Sequence, residues 1–426
     1  MNPVPSASGA QPCSLETEVE RVGDVLVIPE GAKTIPCTHG LHRFPGKFIP
    51  NLPRYLIRSA LPNDGSRVVF DPFCGSGTTL VEAALEGRMA IGSDIDPLAV
   101  AIARAKTQML DSTDIAGLRQ HWLSFDYGQE DPSLVPDVPN LDHWFSRPTI
   151  AELTAIKRGC LALEPRTRLF SLIVFSSIIR RVSNADDQTQ KTYVSGTLPK
   201  TPPSPSKLFP VFLERAIAGM EEYARMVPSR PHVTVLEADA RTLQGLRIDD
   251  VITSPPYIDS IDYVHNQMLE YYWLLDELGL GSYDAYKTLR KQPMGFVRNI
   301  MSRLGEMEQT LGPQAMKDLT TACLRIESQS PKEAESVLGF FADFASHCQA
   351  MYSLQDRGAV YACIIGNSWI RGAEVPTVEI VADLFARAGY QLEDRATYEI
   401  RRHYMKFPRR GNSGKITRDN VLIFRR

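Results

Sequence analysis

The stretch Val251-Ile252-Thr253-Ser254-Pro255-Pro256-Tyr257 joins a β-branched run to two hydroxyls, two prolines and an aromatic ring. Neither proline has an N–H to donate, so the chain must leave a buried strand in a stiff, extended turn. Such a turn fixes the Ser254 hydroxyl, its neighbouring carbonyls and the Tyr257 ring at a sheet's carboxyl edge, where open α/β sheets bind ligands. Carbonyls there accept from an amino group, and the ring stacks on a flat heterocycle.

A second chemical signal lies upstream. Arg67-Val68-Val69-Phe70-Asp71-Pro72-Phe73-Cys74-Gly75-Ser76-Gly77-Thr78-Thr79-Leu80 reads as strand, glycine turn and helix start. Gly75 and Gly77 let backbone approach a ligand closely, and Thr78 or Thr79 is expected to cap the helix. A second strand, Met89–Gly92, ends in Ser93-Asp94, an acid placed to accept from a ribose diol. The spacing points to a nucleoside cofactor. The turn is not G-x-G-x-x-G and no G-K-[ST] occurs, which favours S-adenosylmethionine over dinucleotides and nucleoside triphosphates. Cys74 inside the turn reads as a small packing residue rather than a nucleophile.

The elements that must position these loops follow from the rest of the chain. Its 426 residues, 43% hydrophobic and 23% charged, have ordinary globular composition. Net charge is −3, so any nucleic-acid surface must concentrate positive charge locally. Residues 401–426 do so, with nine Lys and Arg against Asp419 alone. Arg409, Arg410 and Lys415 are the candidate phosphate contacts, the alternative being a solvated tail. The seven cysteines form no C-x-x-C or Cys/His cluster, which argues against a metal site and fits a reducing cytoplasm. No apolar run of spanning length occurs, so no membrane association is expected.

Strands alternating with helices imply a doubly wound α/β sheet. We expect a flexible leader over 1–30, a cofactor-binding part over 31–110 and a helical insertion over 111–230. A catalytic part over 231–280, a second helical insertion over 281–354 and C-terminal strands with a basic edge over 355–426 complete the chain. The two insertions are the candidates for DNA recognition. Trp144, Trp273 and Trp369 are read as packing residues.

These motifs resemble the amino-methylating DNA methyltransferases of bacterial restriction–modification systems, in the branch that modifies the N4 of cytosine. Asp71–Thr79 is similar to the family's D-P-F-x-G-S-G-T-T cofactor loop, Thr253–Tyr257 to its T-S-P-P-[YF] catalytic loop, and His42–Pro50 to an upstream H-x-[YF]-P-x-K-[FY]-x-P segment. Motif-level similarity covers about 40–107, 233–275 and 355–426, and the cofactor loop precedes the catalytic loop, as in a permuted arrangement. The resemblance implies a class I S-adenosylmethionine-dependent methyltransferase fold acting on double-stranded DNA, with a cognate restriction endonuclease as a separately acting partner. It implies that Asp71, Phe73, Gly75 and Gly77 line the cofactor, with Lys47 and Phe48 near its methionine part. Thr78 or Thr79 would lie near its carboxylate, Asp94 on the ribose and Asp239 on the adenine amino group. Ser254 and the Pro255 carbonyl would accept from the target amino group, Pro256 would stiffen the turn, and Tyr257 would stack on the flipped base.

Ser254 stands where adenine-N6 enzymes usually carry Asp, which favours cytosine. Adenine-N6 methylation on the same scaffold, RNA guanine-N2 methylation and a non-catalytic DNA-binding subunit are the alternatives. Carbon-5 methylation would need a cysteine nucleophile after a proline at a strand end, and none occurs.

Overall fold

The computed structural model describes residues 19–29, 36–46, 49–186, 192–197, 200–228, 231–258, 262–295, 305, 307–399 and 418–426. Arg409, Arg410, Lys415, Lys47 and Phe48 lie outside them.

Five parallel strands form one side of a nine-stranded sheet and run out to its β5 edge. Chain order begins with β1 (Glu20–Val22) and β2 (Val25–Val27), an antiparallel hairpin. Helix α1 (Asn51–Ser59), β3 (Val69–Asp71), α2 (Thr78–Leu85), β4 (Ala90–Asp94) and α3 (Pro97–Thr107) follow. The first insertion carries α4 (Ser112–Leu123), α5 (Arg147–Leu161), α6 (Pro165–Val182) and α7 (Pro205–Met226). The sheet resumes with β5 (Val233–Glu237) and β6 (Asp250–Thr253), then α8 (Met268–Leu274), α9 (Tyr283–Leu289), α10 (Pro313–Glu327) and α11 (Pro331–Leu354). The last elements are β7 (Val360–Ile365), the ribbon β8 (Ser368–Ile370) and β9 (Ala373–Val375), α12 (Thr377–Ala388), β10 (Gln391–Glu399) and β11 (Arg418–Arg425).

The strand order is β1-β2-β10-β11-β7-β6-β3-β4-β5, with β11 antiparallel to both its neighbours. The chain runs outward from β3 through β4 to β5, then returns to the other side of β3 for β6 and β7. The order therefore reverses between β3 and β6. In open α/β sheets the crevice beyond the carboxyl ends at that reversal is where ligands bind. The two glycine- and proline-bearing turns follow these two strands.

β3, β6 and β7 are buried on both faces, as helical crossovers require, while the edge strand β5 is only half-buried. Phe70, Val251, Tyr361 and Cys363 face one core, which α10, α11 and α12 cover. Val69, Ile252 and Ala362 face the opposite core, packed by α1 and α2. This period-two alternation fixes register, because a one-residue slip would exchange the two faces. A third apolar cluster joins the insertion helices α4 to α7 with α3 and α8.

Two expectations are corrected. The leader assigned to 1–30 includes the β1–β2 hairpin, whose Val25 and Leu26 pair in parallel with Thr397 and Tyr398 of β10. Leu26 is buried there, which anchors the hairpin to the sheet. Trp369, read as packing, is 42% exposed on the β8–β9 ribbon, whereas Trp273 is fully buried.

Candidate active site

Sterics set the glycine turn. Gly75 and Gly77 sit at φ +47° and +78°, a region that costs an L-residue strain. A Cβ on Gly77 would lie 2.9 Å from the Ala103 Cβ of α3, and one on Gly75 would lie 3.2 Å from the Phe44 ring. Gly77 has no room for a side chain, Gly75 is tight and at positive φ, and the turn presents bare backbone between β3 and α2. Gly77, not Thr78 or Thr79, is the residue before α2, and no side chain caps that helix. Both threonines are buried, and the Thr79 hydroxyl instead donates to the Ile252 carbonyl at 3.4 Å, tying α2 to β6. Cys74 packs beneath the turn, its N–H bonded to the Ser93 carbonyl at 3.0 Å. Burial and the nearby Asp94 push its thiol well up, which leaves it a neutral packing group.

Asp94 ends β4 against this turn. Its carboxylate accepts from the Gly75 N–H at 2.9 Å and from the Asp96 N–H at 3.0 Å. Burial, then the neighbouring Asp96 charge, lift its pKa to about 7. Asp96 is the N-cap of α3, accepting from the Leu98 and Ala99 N–H groups, and also from the buried Tyr271 hydroxyl.

Asp71 joins the two turns. The Thr253 hydroxyl donates to its Oδ1 at 2.6 Å, and the Phe73 N–H does so at 3.2 Å. Its side chain is almost wholly buried, and burial raises its pKa to about 6 against these hydrogen bonds. Phe73 is half-buried, its ring 4.7 Å from that of His347.

After β6, Ser254 and Pro256 are half-buried and Pro255 is buried. The Tyr257 hydroxyl donates to Asp419 Oδ1 at 2.7 Å, and Tyr398 donates to the other oxygen at 2.8 Å. A buried acid on β11 thus fixes the Tyr257 ring from the far end of the chain. Sequence reading counted Asp419 only as a lone negative charge, and no local signal marks its role. Asp239 follows β5, and both its oxygens are held by Arg241, which also reaches Asp343 at 3.0 Å.

The upstream segment packs against the same turn. Phe44 stacks with Tyr263 at 6.2 Å between ring centres. Behind it, fully buried Glu82 of α2 accepts from His39 Nε2 and Arg54 Nε, each at 2.7 Å. This network locks the helix that follows the glycine turn. Among the described residues, no group of three or more His, Cys, Asp or Glu could hold a metal ion, and no helix is long and apolar enough to cross a membrane.

The residues fit a nucleoside cofactor. Gly75 and Gly77, at positive φ, turn bare backbone between β3 and α2, and the Asp94 carboxylate ends the next strand beside it, bonded to the Gly75 N–H. With this strand order, they form the sheet and ligand-binding turn of a class I methyltransferase fold. Residues 17–105 match the N6/N4 methyltransferase family of DNA methylases. The chain is 24% identical over 382 residues to the type II methyltransferase M.MvaI of Kocuria varians, covering 82% of this chain and 81% of that protein. It is 45% identical over 88 residues to the type II methyltransferase M.MjaII of Methanocaldococcus jannaschii, covering 21% and 16% of the two chains. A shorter match, 32% over 96 residues, is to the tRNA (guanine(10)-N2)-dimethyltransferase of Methanothermobacter thermautotrophicus, covering 22% and 28%. The chain is thus similar to DNA methylases of the N6/N4 family and, over most of its length, to a type II methyltransferase.

Proposed function

We propose that the protein methylates the exocyclic N4 of cytosine in double-stranded DNA, with S-adenosylmethionine as donor. The observation that carries this reading is the pairing of the glycine turn with Thr253–Tyr257 across the β3–β6 reversal, through the Thr253–Asp71 hydrogen bond. Ser254, rather than Asp, at the first position of the turn favours cytosine over adenine.

An exocyclic amino nitrogen is a poor nucleophile because its lone pair is delocalised into the ring. Ser254 and the Pro255 carbonyl accept its N–H hydrogens and so draw the nitrogen towards sp³, which localises the pair. Tyr257, held by Asp419, offers its ring to the face of the base. A base inside a duplex must first leave the stack, at a cost of a few kcal/mol, to reach this turn. Gly75, Gly77 and Asp94 hold the nucleoside half of the donor, with Phe73 beside it. When bound, the donor supplies an electrophilic methyl on a sulfonium. Holding reactants in line can remove about 7–11 kcal/mol of barrier, so orientation is a large contribution of the protein. Asp239 lies after the next strand, where its Arg241 pair must yield if it is to meet an adenine amino group. A restriction endonuclease of matching specificity is the implied separate partner.

The test is mass spectrometry of nucleosides from unmodified DNA, and in parallel from tRNA, after incubation with the protein and S-adenosylmethionine. N4-methylcytosine is expected. N6-methyladenine would overturn the Ser254 argument while keeping the mechanism, and methylguanine from RNA alone would overturn the DNA reading.

A further inference from the structure

A polar concavity lies between the His42–Pro45 segment, α6 and the chain that follows the catalytic turn. Arg43, Arg180, Arg181, Gln267 and Glu270 line it. Gln267 and Glu270 are 3% and 7% exposed, yet both polar atoms of the Gln267 amide and Oε2 of Glu270 lack a hydrogen-bond partner among the described residues. Buried amides and carboxyls are nearly always hydrogen-bonded, so unsatisfied ones beside a cavity call for a polar ligand.

The chemistry of this wall is specific. Residues 267 and 270 are three apart at the start of α8 and share a face. Burial lifts Glu270 to about 7, so near neutrality its carboxyl both donates and accepts. An amide beside a carboxyl offers adjacent donors and acceptors, the complement of a nucleobase edge. At the rim, Arg43 and Arg181 are exposed cations suited to a phosphate. Arg180 donates to the Asp186 and Asn266 carbonyls and so fixes the wall between them. The concavity adjoins the active site. Tyr263, four residues before Gln267, stacks on Phe44, and Phe44 packs on Gly75.

We propose that this concavity is a second nucleotide site, which takes one base of the substrate DNA by its hydrogen-bonding edge on Gln267 and Glu270, with phosphate on Arg43 and Arg181. The inference rests on the DNA reading above and adds a contact outside the catalytic turn.

The test compares duplex affinity, by fluorescence anisotropy on a short duplex that the wild type methylates, with S-adenosylmethionine affinity by calorimetry, both on the full chain. Gln267→Ala and Glu270→Ala should each weaken duplex binding about tenfold or more, as loss of a base-edge contact does, with cofactor affinity unchanged. Arg181→Ala, at an exposed rim position, should weaken binding and lower the salt-dependence slope by about one. Wild-type duplex affinity in all three variants overturns the site. Equal weakening of cofactor and duplex binding also overturns it, since that marks a merely structural role. So does dCMP that saturates the wild type without competing with the duplex. The readout is binding, so its failure leaves methyl transfer intact, whereas failure of the DNA reading appears in the nucleoside products.

Discussion

Gly77→Ala tests whether the cofactor cradle is set by backbone shape. At φ +78° an alanine costs about 1–2 kcal/mol relative to its preferred regions. Its Cβ would also stand 2.9 Å from the Ala103 Cβ and 3.1 Å from the Ala103 Cα, closer than carbon atoms tolerate. Overpacking of this kind costs about 1–3 kcal/mol, so the whole effect is about 2–5 kcal/mol. Ala103→Gly removes one of the two clashing atoms, at about 0.5–1 kcal/mol for glycine in a helix. The double variant should therefore recover part of the overpacking and none of the φ strain, which gives a favourable coupling of about 0.5–2 kcal/mol between neighbours in contact. Urea denaturation of the four proteins gives this cycle, and calorimetry gives S-adenosylmethionine affinity alongside. Relief of the clash should restore affinity partly if α3 sets the turn. A Gly77→Ala protein within about 0.5 kcal/mol of wild type, with unchanged cofactor affinity, would refute the reasoning.

Two further expectations follow from the same neighbourhood. Asp94 titrates near 7, so its ionised fraction rises from about one-tenth at pH 6 to about nine-tenths at pH 8; since a charged acceptor bonds a diol more strongly, S-adenosylmethionine affinity should rise up to about tenfold across that range. The raised pKa also means that the stability Asp94 contributes to the folded chain is lost as pH rises through 7, opposite in sign to the gain in binding. Asp94→Asn should bind weakly and without pH dependence, and a flat wild-type profile by calorimetry would contradict the ribose assignment. Glu82→Ala leaves Arg54 and His39 buried without their shared acceptor, which should cost about 3–5 kcal/mol in denaturant unfolding; a loss under about 1 kcal/mol would show that the network does not hold α2.

Much of the site was legible because its turns are dictated by backbone chemistry. Paired prolines must end β6, and glycines at positive φ must follow β3, so Ser254–Tyr257 and Gly75–Gly77 fell at strand ends without any tertiary knowledge. Asp94 followed from its place at the end of the next strand, at the spacing of an acid after a glycine turn. What stayed hidden depends on distant partners. Asp419 meets Tyr257 across 162 positions, and the Asp71–Thr253 bond spans 182. The β1–β2 hairpin was missed because its strands are three residues long and mostly exposed, which leaves little alternation to read. Thr78 and Thr79 suggested a cap from local chemistry, but α2 packs so closely on β6 that Thr79 bonds Ile252 instead. Gln267 and Glu270 sit among aromatic and aliphatic residues of α8, and only the fold brings them to a wall facing arginines.

The central claim is a division of labour at the β3–β6 reversal, in which the glycine turn binds the donor and the Ser254 turn activates the amino group. Single-turnover methyl transfer by Ser254→Ala, measured beside its S-adenosylmethionine affinity, tests it most directly. Loss of one positioned acceptor should lower the rate by about a hundredfold or more while cofactor affinity stays within about twofold of wild type. A Ser254→Ala protein that transfers methyl at the wild-type rate would contradict it.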